Sequence, residues 1–220
     1  METNNNFHDD IFNVQILTPP FFTPSGRVID RREAWKLGEW YGTFNLWIVQ
    51  RILEPCVIYQ LRSPDIGWAP GKLDVAVAGH YEELEGIEGG LREIKEELNA
   101  DYKLQDMINL GRRLNVGIGQ DGTKRNTVSD LYLIEDNSPL EKFTIQEREL
   151  YAICSVPLSE LIKVHEDPNH SFKIEALKAD RTKTIITVDK NIFPPNWDNY
   201  HYKMAMLIDR YFKSEKNLIF

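Results

Sequence analysis

Apolar residues recur along this chain in two rhythms, and the rhythm changes wherever turn formers cluster. IFNVQIL (11–17) alternates well enough for a strand, and the TPPFFTPSG that follows reads as a turn-rich connection. DRREAWKLGEW (30–40) predicts a short helix with Asp30 as its cap and Gly38 near its end. NLWIVQRI, CVIYQLR and LDVAVAG then suit strands, separated by Glu-Pro and by the loop SPDIGWAPGK. An acidic helix follows, then a strand around Met107–Val116, the polar turn GQDGTKRN and the alternating strand VSDLYLIED. YAICSVPL predicts another strand, and SELIKVHED a short helix capped by Ser159. Residues 167–197 read as mixed and loop-rich, and Asp198 to Lys213 as a packed helix with Tyr202, Met206, Leu207 and Tyr211 on its apolar face.

Composition narrows the class. With 220 residues, 42% hydrophobic and 27% charged, the sequence fits an ordinary globular domain of mixed α and β type. Residues 1–10 read as a disordered tail, polar and acidic where a signal peptide would be basic and apolar. No apolar run reaches the ~18–20 residues that cross a membrane. Cys56 and Cys154 both sit in strand-like apolar runs, which predicts buried free thiols and a reducing cytoplasm. The net charge of -8 speaks against nucleic acid as a partner, but not against a phosphorylated small molecule held through a divalent cation.

Candidate chemistry lies in LREIKEELNA (91–100). Projected as a helix, Ile87, Leu91, Ile94 and Leu98 form a narrow buried stripe, while Glu93, Glu96 and Glu97 gather on nearly the opposite side. Glu93 and Glu97 repel at i,i+4, a cost of a few tenths of a kcal/mol, and Lys95 points elsewhere. A solvated face is one reading. A hard divalent cation with oxygen ligands is the other, because it would remove the repulsion.

The segment AGHYEELEGIEGGLREIKEELNA (78–100) resembles the Nudix box, G-x5-E-x7-R-E-U-x-E-E-x-G-U with U apolar. Gly79, Glu85 and Arg92-Glu93-Ile94-Lys95-Glu96-Glu97 fall in order. Six residues separate Glu85 from Arg92 where the pattern has seven, and Asn99 stands where glycine is usual. Asparagine tolerates the left-handed conformation of a helix end. Around the box, RREAWKLGEWYGTFNLWIVQ, YQLRSPDIGWAPGKLDVAVAGH, VSDLYLIED and SVPLSEL are similar to the Nudix branch related to isopentenyl-diphosphate isomerase, over roughly residues 11–165. The resemblance implies an α+β Nudix fold, a mixed sheet sandwiched between helices (α/β/α), with 166–220 as a C-terminal helical extension packed on the same domain.

It also implies a pyrophosphohydrolase that binds Mg2+ or Mn2+ through Glu93, Glu96 and Glu97 and cleaves the diphosphate of a nucleoside diphosphate derivative. Glu96, Glu97, Arg92 and Glu149 are its candidate catalytic groups, and Arg62 and His80 its candidate substrate contacts. Glu147, Trp68 and His80 also have plain structural readings, and core packing is the reading for Trp68. His165, His170 and His201 show no ligand spacing, and Ser159 has no histidine partner. The isomerase itself needs a cysteine, a histidine and a glutamate where this chain has Ala78, Tyr41 and Thr127. A catalytically reduced Nudix module that only binds its ligand is the other alternative. Homodimers are common in the family, and the group attached to the diphosphate is not legible.

Overall fold

Strand β3 (Trp40–Arg51) is apolar on both faces, and the fold is organised around that fact. In the computed structural model, which describes residues 12–119, 122–195 and 197–220, its odd residues Trp47 and Val49 enter one core. Its even residues Phe44, Leu46 and Ile48 enter another, as period-2 alternation requires of a strand covered on both sides. β1 (Asn13–Thr18), β4 (Pro55–Arg62) and β6 (Val77–His80) pair with β3 antiparallel. β8 (Lys124–Glu135) runs parallel to it from Trp40↔Asn126 to Val49↔Glu135. Among the described residues the sheet has eleven strands, with β2 (Thr23–Asp30) beyond β1, β5 (Leu73–Val75) beside β4, and β7 (Ile108–Ile118) beyond β8. β9 (Leu150–Pro157) continues from β4.

Helix α2 (Ile87–Leu98) packs on β6 and β3, inserting Ile94 and Leu98 among Phe44, Leu46 and Ile48. Helices α3 (Leu158–Glu166) and α4 (Tyr200–Phe212) pack on each other and cover the Trp47 side. The mixed sheet therefore lies between helices, as expected. Asp30 caps α1 (Arg31–Leu37) by accepting from the Arg32 and Glu33 amides, and Gly38 closes it at φ 71°, also as expected.

Several elements differ from the sequence reading. Of the stretch read as a turn-rich connection (18–26), residues 19–22 turn as expected while 23–26 open strand β2, because β1 pairs with them. The stretch read as loop contains the hairpin β10 (Phe172–Lys178) and β11 (Lys183–Val188), turned by Asp180, whose carboxylate accepts from the Thr182 amide, and by Arg181 at φ 67°. Its polar residues line an outer strand, so no long apolar run marks it. Ser159 lies inside the first turn of α3, where Pro157 is the cap position and no side chain caps.

On α4 the buried residues are Tyr200, His201, Met204, Ala205, Leu207 and Ile208. Of the expected face only Leu207 is core. Tyr202 and Tyr211 lie nearer the surface and donate to Glu166 and Glu135, and Met206 is exposed. Reading His201 as polar hid the true stripe. Cys154 is buried, with its thiol pushed up to about 12 by desolvation, and Cys56 is half-buried. The tail expected at 1–10 lies outside the described residues.

Candidate active site

Two glycines decide how closely α2 approaches the sheet. A Cβ on Gly90 would stand 2.4 Å from Phe44 Cδ2, and one on Gly79 of β6 would stand 2.1 Å from Glu93 Cγ. Glu93 thus lies flat across the Gly79 backbone, and the His80 amide donates to its carboxylate. One turn later Glu97 is only 2% exposed, and the Ala78 amide donates to it. The helical projection placed Glu97 on the solvent side. It is buried because the covered arc of α2 is wider than the projected stripe, extending past Ile94 to Gly90, which meets Phe44, and to Glu97, which reaches Gln60 of β4. Ile87 and Leu91, expected in the stripe, are only partly buried. Asn99 ends the helix at φ 50°, the left-handed conformation its side chain tolerates.

The six-residue spacer does not separate Glu85 from Arg92. The guanidinium donates through Nε to Glu85 Oε1 at 3.1 Å and through Nη2 to Glu85 Oε2 at 3.0 Å. The shortened loop closes by a turn in which the Glu85 amide donates to the Glu82 carbonyl and the Glu82 amide to the Glu85 carboxylate. Nη2 also donates to the His80 carbonyl at 3.2 Å. Nη1 faces Glu96 at 3.0 Å and Glu93 at 3.2 Å. Arg92 thereby ties the loop, β6 and the acidic helix into one unit, and its hydrogen bonds hold the Glu85 carboxyl below its ordinary range.

Electrostatics single out Glu93 and Glu97. Burial pushes the Glu93 carboxyl up to about 7, with Arg92 opposing and Glu96 and Glu149 adding repulsion. Glu97 is raised well above its ordinary value by burial, then by Glu149 and Glu93, with Arg62 opposing. Glu93, Glu97 and Glu149 are therefore close enough to disfavour one another's charge. Glu97 has one side-chain partner in view, a long 3.5 Å contact from Gln60 Nε2. Glu96 is about half exposed and Glu149 half-buried. Among the described residues, no three His, Cys, Asp or Glu side chains form a closed cage for an ion as they stand. Arg92 occupies oxygens of Glu93 and Glu96.

Arg62 extends from the end of β4, donates through Nε to the Trp68 carbonyl at 3.0 Å, and lies 3.7 Å from Asp74. Its charge reaches Glu97. Trp68 is not core: 43% exposed, it lies under the Arg62 guanidinium at 5.1 Å. The His80 imidazole is held neutral, its pKa lowered to about 3 by burial and then by Arg31, Arg62, Arg125 and Arg92. Glu147 is exposed beside the half-buried Glu149. His165 and His201 both pack on Phe193, His201 within a cage completed by Trp47, Tyr59 and Tyr200, and His170 faces Glu160. Gln60 and Asp74 were missed. Gln60 stands in YQLRS and Asp74 in GKLDV, and strand alternation was the signal that could have turned them toward Glu97 and Arg62.

The chain is 30% identical over 196 residues to an uncharacterised Nudix hydrolase of Clostridium acetobutylicum, covering 82% of this chain and 90% of that protein. It is 29% identical over 134 residues to Nudix hydrolase 3 of Arabidopsis thaliana, covering 59% of this chain but only 17% of that much longer protein. No family profile matches. Among solved structures, a MutT protein from Methanosarcina mazei shares the fold, with a TM-score of 0.50 and 14% identity over 79% of this chain and 96% of that one. This chain belongs to the Nudix hydrolase family. It is an enzyme of that family, and no helix among the described residues is long and apolar enough to cross a membrane.

Proposed function

We propose that the enzyme hydrolyses, with Mg2+ or Mn2+, the diphosphate bond of a nucleoside diphosphate joined to another group. The observation that carries this reading is the burial of Glu97, whose carboxyl is raised well above its ordinary value by desolvation and then by the neighbouring charges of Glu149 and Glu93. A buried carboxylate with one long side-chain partner suits an oxygen ligand for a hard cation. Glu93 and Glu97, with Glu96 turned in from the surface, would hold the ion, so the donor chemistry fits. Bound there, it would supply neutralisation of the diphosphate oxygens and polarisation of a water.

The chain's own residues supply the rest. Arg92 fixes the loop against β6 and sets the rotamers of Glu93 and Glu96 through its paired donors. Arg62, whose charge reaches Glu97, would steady a phosphate oxygen. Glu149, just before β9 and near enough to Glu97 to act on its charge, would take a proton from the attacking water, with Glu97 as the neighbouring acceptor. His80 contributes its main chain to Glu93 and Arg92, while its ring packs on Phe12 and Tyr41.

The bidentate Glu85–Arg92 pair supports hydrolase over ligand-binding module, because the loop keeps its hold on the helix despite the shorter spacer. The similarity to the isomerase branch extends to the frame but not to its acid–base groups. Tyr41 accepts from the Trp35 indole at 2.9 Å, Thr127 is buried and Ala78 has no titrating group. The test is a panel of nucleotide sugars, dinucleotides, ADP-ribose-like compounds and coenzyme A derivatives, with magnesium or manganese, read as mononucleotide release. Turnover of none of them in either metal would overturn the reading.

A further inference from the structure

Two strands of the sheet part beside the acidic centre. β3 and β4 pair only from Ile48↔Ile58 to Arg51↔Pro55. Beyond that, β3 pairs with β6, and β4 pairs with the short β5, whose Asp74 lies opposite Gln60. Asp74 is only 6% exposed at this opening. Its Oδ1 accepts from the Val75 amide at 2.9 Å and lies 4.0 Å from Nε2 of His201 on α4. Its Oδ2 lies 3.7 Å from Nη1 of Arg62, at the end of β4.

A carboxylate shut away from water is costly unless a cation faces it. Arg113 is engaged by both oxygens of Asp198, at 2.8 and 2.9 Å. His201 is held neutral, its pKa lowered to about 3 by burial and then by His165 and Arg113. Burial raises the Asp74 carboxyl, and Arg62 is the first of the groups that oppose this. The contact acts on Arg62 as well. Its Nε donates to the Trp68 carbonyl at 3.0 Å while Nη1 faces Asp74. On the rim of the guanidinium Nη2 lies between these two held nitrogens, and it has no protein partner among the described residues. The main chain is fixed too: the Arg62 amide donates to the Lys72 carbonyl at 2.9 Å, and the Arg62 carbonyl accepts from the Gly71 amide at 3.2 Å.

We infer that Asp74 is a positioning residue for Arg62, holding the guanidinium so that Nη2 is left to donate to a phosphate oxygen of the substrate. An aspartate on an open surface would do this weakly, because water competes for both partners; inside the opening the attraction is less screened. With the Trp68 carbonyl on Nε and Asp74 beside Nη1, the guanidinium cannot turn about its Cζ–Nε bond without losing a partner. Helix α4 takes part by standing His201 against Asp74, within the aromatic cage, which gives the C-terminal extension a role in the site. The inference rests on the hydrolase reading for the identity of the oxygen that Nη2 meets. Asp74 itself acts through Arg62 alone.

The test is Asp74→Asn in the full chain, which keeps size and an acceptor for the Val75 amide but removes the charge. The Arg62 guanidinium is followed by nitrogen NMR in EDTA, its resonances identified by their loss in Arg62→Gln. In the wild-type chain, rotation about Cζ–Nε should be slow enough to resolve Nη1 from Nη2. In Asp74→Asn it should be faster by about tenfold or more. Equal rotation in the two chains would overturn the positioning role, as would wild-type rotation as fast as that of a solvated arginine. If Asp74→Asn does not fold, Asp74→Ser takes its place, and the wild-type rotation is read without any variant. On a nucleoside diphosphate derivative that the wild-type chain turns over, Asp74→Asn should lower kcat/KM by about tenfold. Combined with Arg62→Gln it should be no worse than Arg62→Gln alone. Losses that add would show Asp74 acting on the fold and not through Arg62, which refutes the inference. A substrate panel without turnover would remove the hydrolase reading, while the NMR comparison would still decide whether Asp74 holds Arg62.

Discussion

Replacing Glu93 with glutamine should stabilise the protein at alkaline pH. The carboxyl lies across Gly79 with its pKa raised from 4.5 to about 7 by burial. As pH rises from the ordinary carboxyl value, the unfolded chain releases its proton first, whereas the folded chain holds it until about 7. The stability Glu93 contributes is therefore fully present below the unfolded value and is lost as pH rises through the folded one. Above that window the lost increment is about 2.5 pH units at 1.36 kcal/mol each, about 3 kcal/mol. Glutamine removes the titration while keeping an oxygen to accept from the His80 amide. Urea unfolding in EDTA at pH 4 and pH 8.5 is the assay. The two proteins should be nearly equal at pH 4, and Glu93→Gln more stable by up to about 3 kcal/mol at pH 8.5. A variant less stable at both, by the same amount, would show that Glu93 is held by favourable contacts and that its repulsion is misjudged.

Other consequences concern packing and chemistry. Ile94→Asp should cost several kcal/mol in thermal or denaturant unfolding, and clearly more than Leu91→Asp, because Ile94 is 1% exposed while Leu91 is only partly buried. Gly90→Ala should destabilise by about 1–3 kcal/mol despite alanine's helix propensity, since the added methyl meets Phe44; a stabilised variant would mean α2 stands further from β3. Isopentenyl diphosphate should not be converted to dimethylallyl diphosphate, because Ala78 offers no proton donor or acceptor. Product formation at an enzyme-like rate, followed by NMR, would overturn that.

Much of the frame was legible in the sequence because it was written in long alternating runs. β3, β4, β8 and β9 each carry enough apolar residues to be seen without a partner. The hairpin of β10 and β11 was not, because KIEALK and KTIITV gain their strand character from pairing at the sheet's outer side. The acidic helix and its Arg92 were visible as spacing. Burial of Glu97 was not, since the apolar stripe marks only part of the arc that α2 buries, and Gly90 lets the helix edge beside Glu97 close on the sheet. Nor could spacing tell that the shorter loop still brings Glu85 to Arg92, because that depends on how the Glu82–Glu85 turn closes in space. Gln60 and Asp74 are ordinary strand residues until the register sets what they face.

The most direct test of the central claim is metal-dependent hydrolysis by Glu97→Gln beside the wild-type chain, on whichever nucleoside diphosphate derivative the wild-type chain turns over. Glutamine preserves size and helix propensity but removes the charge that is buried against Glu93 and Glu149. The prediction is that activity with magnesium or manganese falls by orders of magnitude. Stability in EDTA should hold or rise, because a desolvated, repelled carboxylate is gone. Full activity in a destabilised Glu97→Gln would contradict the account, because the glutamates would then hold the fold rather than the metal.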